Sequence, residues 1–169
     1  GQIVVTDQAF FTTAEGNKYP FLHFVDCATK WSMVIPCTSG RTQGKQATGI
    51  DVIKGITEWV RIWGKPPEIL FSDQGREFMN FNVFDMAIKL QIKLMYSPIK
   101  TPASNGIAER HGGVLKQIAG RLVREFEDEL NKKLMDINDV LNQAAAVKNS
   151  MITKHGYSAQ QLAFLNIPY

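Results

Sequence analysis

The period of the hydrophobic residues changes along the chain, and this change most constrains the fold. Three β-rich runs come first, with aromatic and β-branched residues in "QIVVTDQAF", "YPFLHFVDCAT" and "KWSMVIPCT", a composition typical of strands. Apolar residues then recur every three to four positions over residues 46–63, which predicts an amphipathic helix that ends at Gly64 and the proline pair after it. The first three strands are therefore predicted to form an antiparallel meander, followed by a helix.

The second half alternates between short strands and helices. The runs "EILFSD" and "QIKLMYSPI" are strand-like, and helices are predicted over about 80–90, 107–129 and 131–149, with a short helix after "GYSAQQL". The order is βββ-α-β-α-β-α-α-α. A five-stranded mixed sheet covered by helices satisfies this order, with three antiparallel strands followed by two parallel strands. The predicted class is α/β, with site residues near strand ends.

Length and composition suit one soluble domain over residues 1–169. The net charge of +3 permits a polyanionic partner without requiring one. Cys27 and Cys37 lack CxxC spacing, so neither a zinc site on them nor a disulfide framework is predicted. No apolar run approaches the roughly 18 residues that cross a bilayer. The start "GQIVVTDQAF" is neither a signal peptide nor an initiator-methionine start, so we expect a segment of a longer protein.

Asp7, Asp73 and Glu109 are the candidate catalytic residues and metal ligands. Asp7 interrupts an apolar strand run, where an unpaired carboxylate is costly. Asp73 ends the strand "EILFSD", and Glu109 follows after 35 intervening residues, in the first turn of a predicted helix. Two Mg²⁺ ions about 3.5–4 Å apart can drive transfer at a phosphodiester, and Mg²⁺ prefers oxygen ligands. Carboxylates on separate elements are what such a site requires.

Asp73 and Glu109 also have structural interpretations. Asp73 precedes a Gln-Gly pair and can form a turn by accepting from its own backbone. Glu109 suits the positive end of a helix dipole. Asp26, on the next strand, competes with Asp7 for the third position, although we expect it to accept hydrogen bonds at its strand end. Further acids follow helical spacing on predicted solvated faces: Asp51, Glu58, Asp85, Glu125, Glu127 and Asp128.

Taken in order, these segments resemble the catalytic core of retroviral and retrotransposon integrases, the DDE recombinases with an RNase H-like fold. "FSDQGREF" resembles the family's S/T-D-x-G-x-x-F segment, and "SPIKTPASNGIAERHGGVLK" resembles its Y-x-P…G-x-x-E-R…L-K segment. The 35 residues between Asp73 and Glu109 match the spacing that names the D,D-35-E family. "VVTDQAFF", "FVDCATKW" and "KHGYSAQQLAF" resemble the segment of the first aspartate, the strand after it and a late G-Y-S/T-P/A element. The resemblance spans nearly the whole chain.

The resemblance implies an enzyme that trims the 3′ ends of its element's DNA and joins them to target DNA. It implies Mg²⁺ as cofactor, with Mn²⁺ as a substitute, and two ions per site when DNA is bound. The implied partners are the element's DNA ends, target DNA and a second copy of the chain, which would pair through the helices at 46–63 and 131–149. The expected location is the nucleus, in an intracellular pre-integration complex. Full-length relatives add an N-terminal zinc domain and a C-terminal DNA-binding domain, and we expect neither within residues 1–169.

Four residues are candidate DNA contacts. The resemblance places Asn105 in the family's active-site loop, beside the DNA end. Lys116 lies seven positions after Glu109 on the same helix face, and the resemblance implies that it contacts a DNA phosphate. The alternative is that Lys116 is an ordinary solvated surface lysine. Arg110 is a weaker candidate because it points elsewhere on the helix. Lys100 stands in the loop where retroviral relatives often carry an aromatic residue.

A second departure from the family pattern lies inside the predicted third helix. Gly112 and Gly113 fall where retroviral relatives carry polar side chains that contact DNA. Each glycine costs a helix interior about 1 kcal/mol relative to alanine. DNA contacts there are therefore expected to run through the backbone, to be absent, or to accompany a locally loose helix.

Three alternatives to an integrase core stay open on the sequence. A ribonuclease H or a cut-and-paste transposase shares the fold, but the 35-residue spacing and the absence of a large insertion disfavour both. A domesticated integrase-like domain would bind DNA or protein without catalysis. A generic α/β binding domain would carry these acids by coincidence. Metal dependence of a joining or nuclease activity separates these classes.

Overall fold

A five-stranded mixed sheet lies at the centre of the fold. The structure, a computed structural model, describes residues 2–37, 46–97, 106–130, 136–153 and 155–164, with side chains of the third segment described as far as residue 125. The strands are β1 (Ile3–Thr12), β2 (Lys18–Asp26), β3 (Ser32–Pro36), β4 (Ile69–Ser72) and β5 (Lys93–Tyr96). β1, β2 and β3 are antiparallel, while β4 pairs in parallel with β1, and β5 with β4. The order β3-β2-β1-β4-β5 confirms the predicted fold class.

Among the described residues, five helices flank this sheet. They are α1 (Gly49–Trp63), α2 (Phe81–Lys89), α3 (Gly106–Leu130), α4 (Ile137–Ser150) and α5 (Ala159–Phe164). Within the described ranges, no helix is both long enough and apolar enough to cross a membrane.

Three predicted helix starts were wrong, each because a capping residue sets the boundary. α1 begins three residues after position 46, since Thr48 has extended backbone (φ −118°, ψ 165°) and is the N-cap. α4 begins after Asp136, whose side chain accepts from the Asn138 amide at 3.0 Å; residues 131–135 of the predicted helix lie outside the described residues. α5 begins within "GYSAQQL" rather than after it, because Ser158 Oγ accepts from the Gln161 amide at 3.1 Å, and Gln161 Oε1 accepts from the Ser158 amide at 2.8 Å.

The two faces of the sheet pack against different helices. On one face, Val4, Leu22 and Phe24 pack with α1 and α2. On the other, Phe11, Phe21 and Val34 pack with α3 and α4. Successive strand residues point to opposite faces, so Ala9 and Phe11 assign the odd positions of the middle of β1 to the α3 face. Asp7 therefore faces α3.

The prediction of a solvated Asp51 was wrong. Asp51 is fully buried, and its Oδ2 accepts from the Thr48 amide at 2.9 Å and from the Thr48 hydroxyl at 2.8 Å. It is the third helical residue of α1, where a carboxylate can satisfy the main chain of the N-cap. Glu58 and Asp85 form surface ion pairs with Arg61 and Lys89, respectively. The side chain of Glu125 is exposed. The side chains of Glu127 and Asp128 lie outside the described residues.

Candidate active site

Asp7 lies in the middle of β1 and is half-buried beneath α3. Its cross-strand partner on β2 is His23. The pKa of Asp7 is raised from 3.8 to about 6, first by burial and next by the negative charge of Asp73. Glu109 and Glu77 add smaller repulsions, whereas a hydrogen bond from the Gln8 backbone opposes them. Asp7 therefore lies within electrostatic reach of both other candidate ligands.

Asp73 directly follows β4, the strand that neighbours β1. The β1–β4 pairs run from Ile3–Ile69 to Val5–Phe71, a constant offset of 69 − 3 = 66. The same offset separates Asp7 from Asp73, since 73 − 7 = 66, so the two aspartates occupy corresponding positions just beyond the last pair. Neighbouring strands lie about 4.8 Å apart. Asp73 also forms the predicted turn, because its Oδ1 accepts from the Gly75 amide at 3.0 Å.

Glu109 comes from the first turn of α3 and shares a cavity with Asp7. This cavity has a volume of about 300 Å³ and is lined by Asp7, Gln8, Ala9, Phe10, His23, Ala108, Glu109, Gly112 and Lys116. We call it the carboxylate cavity. The side chain of Glu109 is exposed. Asp73 is not part of the lining and acts on Asp7 from the neighbouring strand.

The three candidate carboxylates are suitable ligands for a hard divalent cation, although they do not yet form a compact metal site. Among the described residues, no three histidine, cysteine, aspartate or glutamate side chains already stand close enough to hold a metal ion. Nevertheless Asp7, Asp73 and Glu109 supply oxygen ligands from three elements. The negative charges of Asp73 and Glu109 disfavour the ionised form of Asp7. A divalent cation between them would relieve that repulsion.

The structure separates Asp26 from this site. Asp26 pairs with Val4 in the β1–β2 ladder and therefore points to the α1 face, opposite to Asp7. It is buried, and its Oδ2 accepts from the Thr29 amide at 2.8 Å and from the Thr29 hydroxyl at 2.7 Å. These are the strand-end hydrogen bonds expected from the sequence.

The candidate DNA contacts divide into three groups. Lys116 lines the carboxylate cavity with Glu109, as expected from their seven-residue spacing. Arg110 is exposed outside that lining, and its charge helps to lower the pKa of His111 to about 4, after the larger effects of burial, Lys148 and Lys30. Lys100 and Asn105 lie outside the described residues.

Glu77 is a fourth carboxylate that the sequence reasoning did not single out. It is 9% exposed, and its pKa is raised first by burial and then by Asp73, against the opposing effect of its own backbone amide. A Cβ at Gly75 would come within 2.6 Å of Glu77 Oε2, so glycine allows this carboxylate to fold back against the turn. The sequence signal that could have identified Glu77 is its position four residues after Asp73.

His23 is a second residue that was missed. It is 1% exposed on the floor of the carboxylate cavity, and its Nε2 lies 3.0 Å from Ser32 Oγ. Its pKa is lowered to about 3, first by burial and then by the charges of Lys148, His111 and Lys116, so the ring is neutral at pH 7. Its position between Phe21 and Val25 resembles ordinary strand alternation, which hides it in the sequence.

Comparison with solved structures identifies the fold as that of retroviral integrase catalytic cores. The chain matches the HTLV-2 integrase catalytic core domain in complex with magnesium (TM-score 0.73, 17% identity, 95% of each chain). It also matches the BIV integrase catalytic core domain (TM-score 0.71, 15% identity, 97% of this chain and 94% of that one). A chain of the simian T-cell lymphotropic virus intasome in complex with PP2A regulatory subunit B56 gamma matches with a TM-score of 0.76 at 20% identity, over 96% of this chain and 54% of that one.

The sequence comparisons add no assignment, since no protein-family model and no curated protein matches the chain. At these identities the structural matches establish the fold. The predicted resemblance to an integrase core is confirmed at that level.

Proposed function

We propose that the chain is the catalytic core of a retroelement integrase, a metal-dependent polynucleotidyl transferase. It would process DNA 3′ ends and transfer them into target DNA. The observation that carries this proposal is the electrostatic convergence of Asp73 and Glu109 on Asp7, from three separate elements of an integrase-core fold. The magnesium named for the HTLV-2 core makes Mg²⁺ the first candidate cofactor here, with Mn²⁺ as its substitute.

The proposed chemistry needs no nucleophilic side chain. Two bound Mg²⁺ ions would strengthen the attacking water or DNA 3′-hydroxyl and stabilise the leaving 3′-oxygen. Asp7 in the middle of β1, Asp73 directly after β4 and Glu109 in the first turn of α3 would hold those ions. Lys116, in the same cavity as Glu109, would bind a DNA phosphate and so place the scissile bond. Asn105 and Lys100 remain proposed contacts to the DNA end, and Arg110 remains a weaker candidate for DNA contact.

The partners and location follow from the same proposal. DNA ends and target DNA are the substrates, a second copy of the chain is the proposed partner through α1 and α4, and the nucleus is the proposed site of action. The HTLV-2 core has been solved in both dimeric and trimeric forms.

The test is disintegration, the reversal of strand transfer on a branched DNA substrate, run with Mg²⁺ and with Mn²⁺. We expect metal-dependent joining by the wild type and a loss of more than about 100-fold in Glu109→Gln, beyond the 10–100-fold typical of residues outside the first ligand shell. Asp26→Asn is the matched control, because it removes a buried carboxylate from the opposite face of the same sheet. Retained activity in Glu109→Gln would contradict the assignment.

A non-catalytic DNA- or protein-binding domain is the second candidate. One observation favours it: among the described residues, no three potential ligands stand close enough to hold a metal ion. A wild-type chain that joins no DNA and binds no Mn²⁺ would select this alternative.

A further inference from the structure

The floor of the carboxylate cavity carries a buried polar atom without a hydrogen bond. His23 lines the cavity beside Asp7 and Glu109 and is 1% exposed. Its Nδ1 has no hydrogen-bond partner among the described residues. The main chain of Ala108 faces the ring and favours its protonated form, but no hydrogen bond of ordinary geometry reaches Nδ1. A buried nitrogen of this kind is destabilising unless something else satisfies it.

The other ring nitrogen is held by a chain of hydrogen bonds across two strands and a helix. Nε2 lies 3.0 Å from Ser32 Oγ on β3. Asn149 on α4 holds the main chain of Ser32 on both sides, accepting from its amide at 2.8 Å and donating to its carbonyl at 2.7 Å. The ring orientation is therefore fixed, and Nδ1 cannot turn away from the cavity without breaking the bond to Ser32.

Gly112 leaves no side chain on the part of α3 that lies against Nδ1. A Cβ at this position of α3 would lie 3.6 Å from Nδ1, in ordinary contact, so any side chain longer than alanine would begin to fill the space. This gives a physical role to a glycine whose presence inside a helix otherwise only costs stability.

Asp7, which lines the same cavity, is the candidate for an indirect partner of Nδ1. The two residues are directly opposed in the antiparallel β1–β2 ladder, which places their Cβ atoms about 4.5–5.5 Å apart on the same face. No direct hydrogen bond joins them among the described residues. Polar groups at such a separation are commonly bridged by water, and a cavity of about 300 Å³ has ample room for one.

We propose that His23 is a positioning residue of this site: its Nδ1 holds a water molecule that also hydrogen-bonds to the Asp7 carboxylate, and this bridge fixes the orientation of that carboxylate toward its metal. The effect on metal binding rests on the proposed function. The bridge itself is a property of the metal-free protein.

A purely structural role for His23 makes the opposite prediction, and two substitutions distinguish them. The amide of asparagine ends one bond beyond Cγ, near the place of Nδ1, whereas the longer glutamine reaches the place of Nε2. His23→Asn therefore keeps a polar group facing the cavity and loses the contact with Ser32. His23→Gln keeps the contact with Ser32 and loses the group facing the cavity.

The first experiment measures Mn²⁺ affinity of the wild-type chain, His23→Asn and His23→Gln by calorimetry, with Tm recorded for each. We expect His23→Gln to bind Mn²⁺ about 10–100-fold more weakly, the range seen when partners of metal ligands are removed, and His23→Asn to stay close to the wild type. Equal affinities in the two variants, or weaker binding by His23→Asn, would overturn the inference.

A crystal structure of the metal-free wild type at high resolution tests the bridge without any variant. Density for a water within hydrogen-bond distance of both His23 Nδ1 and an Asp7 carboxylate oxygen supports the inference. A protein atom on Nδ1, or no density there, overturns it while leaving the proposed function untouched. Conversely, a wild type that shows the water but neither binds Mn²⁺ nor joins DNA would contradict the proposed function and leave the bridge standing.

Discussion

At the scale of single residues, the candidate site contains a carboxylate, Asp7, whose ionised form is disfavoured by folding. The pKa of Asp7 rises from 3.8 to about 6 through burial and through repulsion by Asp73 and Glu109. Because the folded value lies above the unfolded one, the folded state binds a proton more tightly. This contribution to stability is fully present below pH 3.8 and is lost as the pH rises through about 6.

The first residue-scale prediction concerns Asp7→Asn in metal-free buffer. At pH 7.5 the substitution removes a disfavoured charge, so we expect a gain of roughly 1–2 kcal/mol after discounting for partial exposure. For a chain of this length, the gain corresponds to about 2–8 °C in Tm. The gain should shrink as the pH falls and vanish below about pH 4, where Asp7 is protonated in both states. Thermal unfolding of both proteins from pH 3.5 to 8 measures it.

The control for that measurement is Asp85→Asn, which removes an exposed carboxylate that pairs with Lys89 on α2. An equal gain in stability for Asp85→Asn would show that the effect comes from the change in net charge. Addition of Mn²⁺ should make the wild type more stable than Asp7→Asn, because the metal stabilises only the protein that binds it.

The acids could be predicted at this scale, whereas their polar neighbours could not. Asp7 interrupts an apolar run and Asp73 ends one, and both signals are local. The burial of Asp51 and the position of His23 beneath α3 depend on contacts between distant segments, whereas the spacing of Glu77 from Asp73 was a local signal that was not used. A histidine between two apolar strand residues gives no sign of which face it occupies.

At the scale of elements, α3 carries residues of the candidate site and residues of the core. Glu109 and Lys116 lie two turns apart on one cavity, while Leu115 and Ala119 are buried in the core between α3 and the sheet. Helix existence and type were predictable from the period of the apolar residues. Helix starts were not, because capping by Thr48, Asp136 and Ser158 depends on which neighbouring amide each side chain reaches.

The element-scale prediction is that Gly113→Ala and Gly120→Ala each stabilise the protein. Both glycines lie inside α3, and a Cβ at either position would meet no atom within 4 Å. Alanine removes the entropic cost of glycine in a helix, about 0.5–1 kcal/mol for each site. Chemical denaturation at a constant m-value measures the gain.

Gly55→Ala in α1 is the matched control. There a Cβ would lie 2.3 Å from Phe24 Cζ, so the helix would have to move away from the sheet. We expect Gly55→Ala to destabilise the protein despite the same gain in helix propensity. Stabilisation by Gly55→Ala would show that the packing of α1 against β2 is looser than described.

At the scale of the whole molecule, α1 and α4 flank β3 and frame a groove. The groove has a volume of about 390 Å³ and a mainly apolar lining that includes Ile62, Asn142, Ala145 and Ala146. It lies between the two helices through which we propose that two copies pair. Separately, α2 exposes Phe81 and Ile88, at 80% and 77%, away from that groove.

The whole-molecule prediction is that Ala146→Glu weakens self-association, because it places an unpaired charge at the proposed interface. We expect at least a tenfold increase in the dimer Kd, roughly 1.4 kcal/mol, measured by sedimentation equilibrium. Ile88→Glu is the control, since it adds the same charge on α2. Dissociation by Ile88→Glu with an unaffected Ala146→Glu would move the interface to α2.

The order of the strands also has a consequence for how copies of the chain can aggregate. β3 and β5, five and four residues long, are the outermost strands of the sheet among the described residues. β3 ends at Pro36, which lacks an amide hydrogen, Asn149 occupies both main-chain groups of Ser32, and β5 begins at the exposed Lys93. Short strands, proline and charge discourage strand-to-strand growth between molecules. Fibrous association is therefore disfavoured, and crowded copies of the chain can meet through helices without their sheets extending one another.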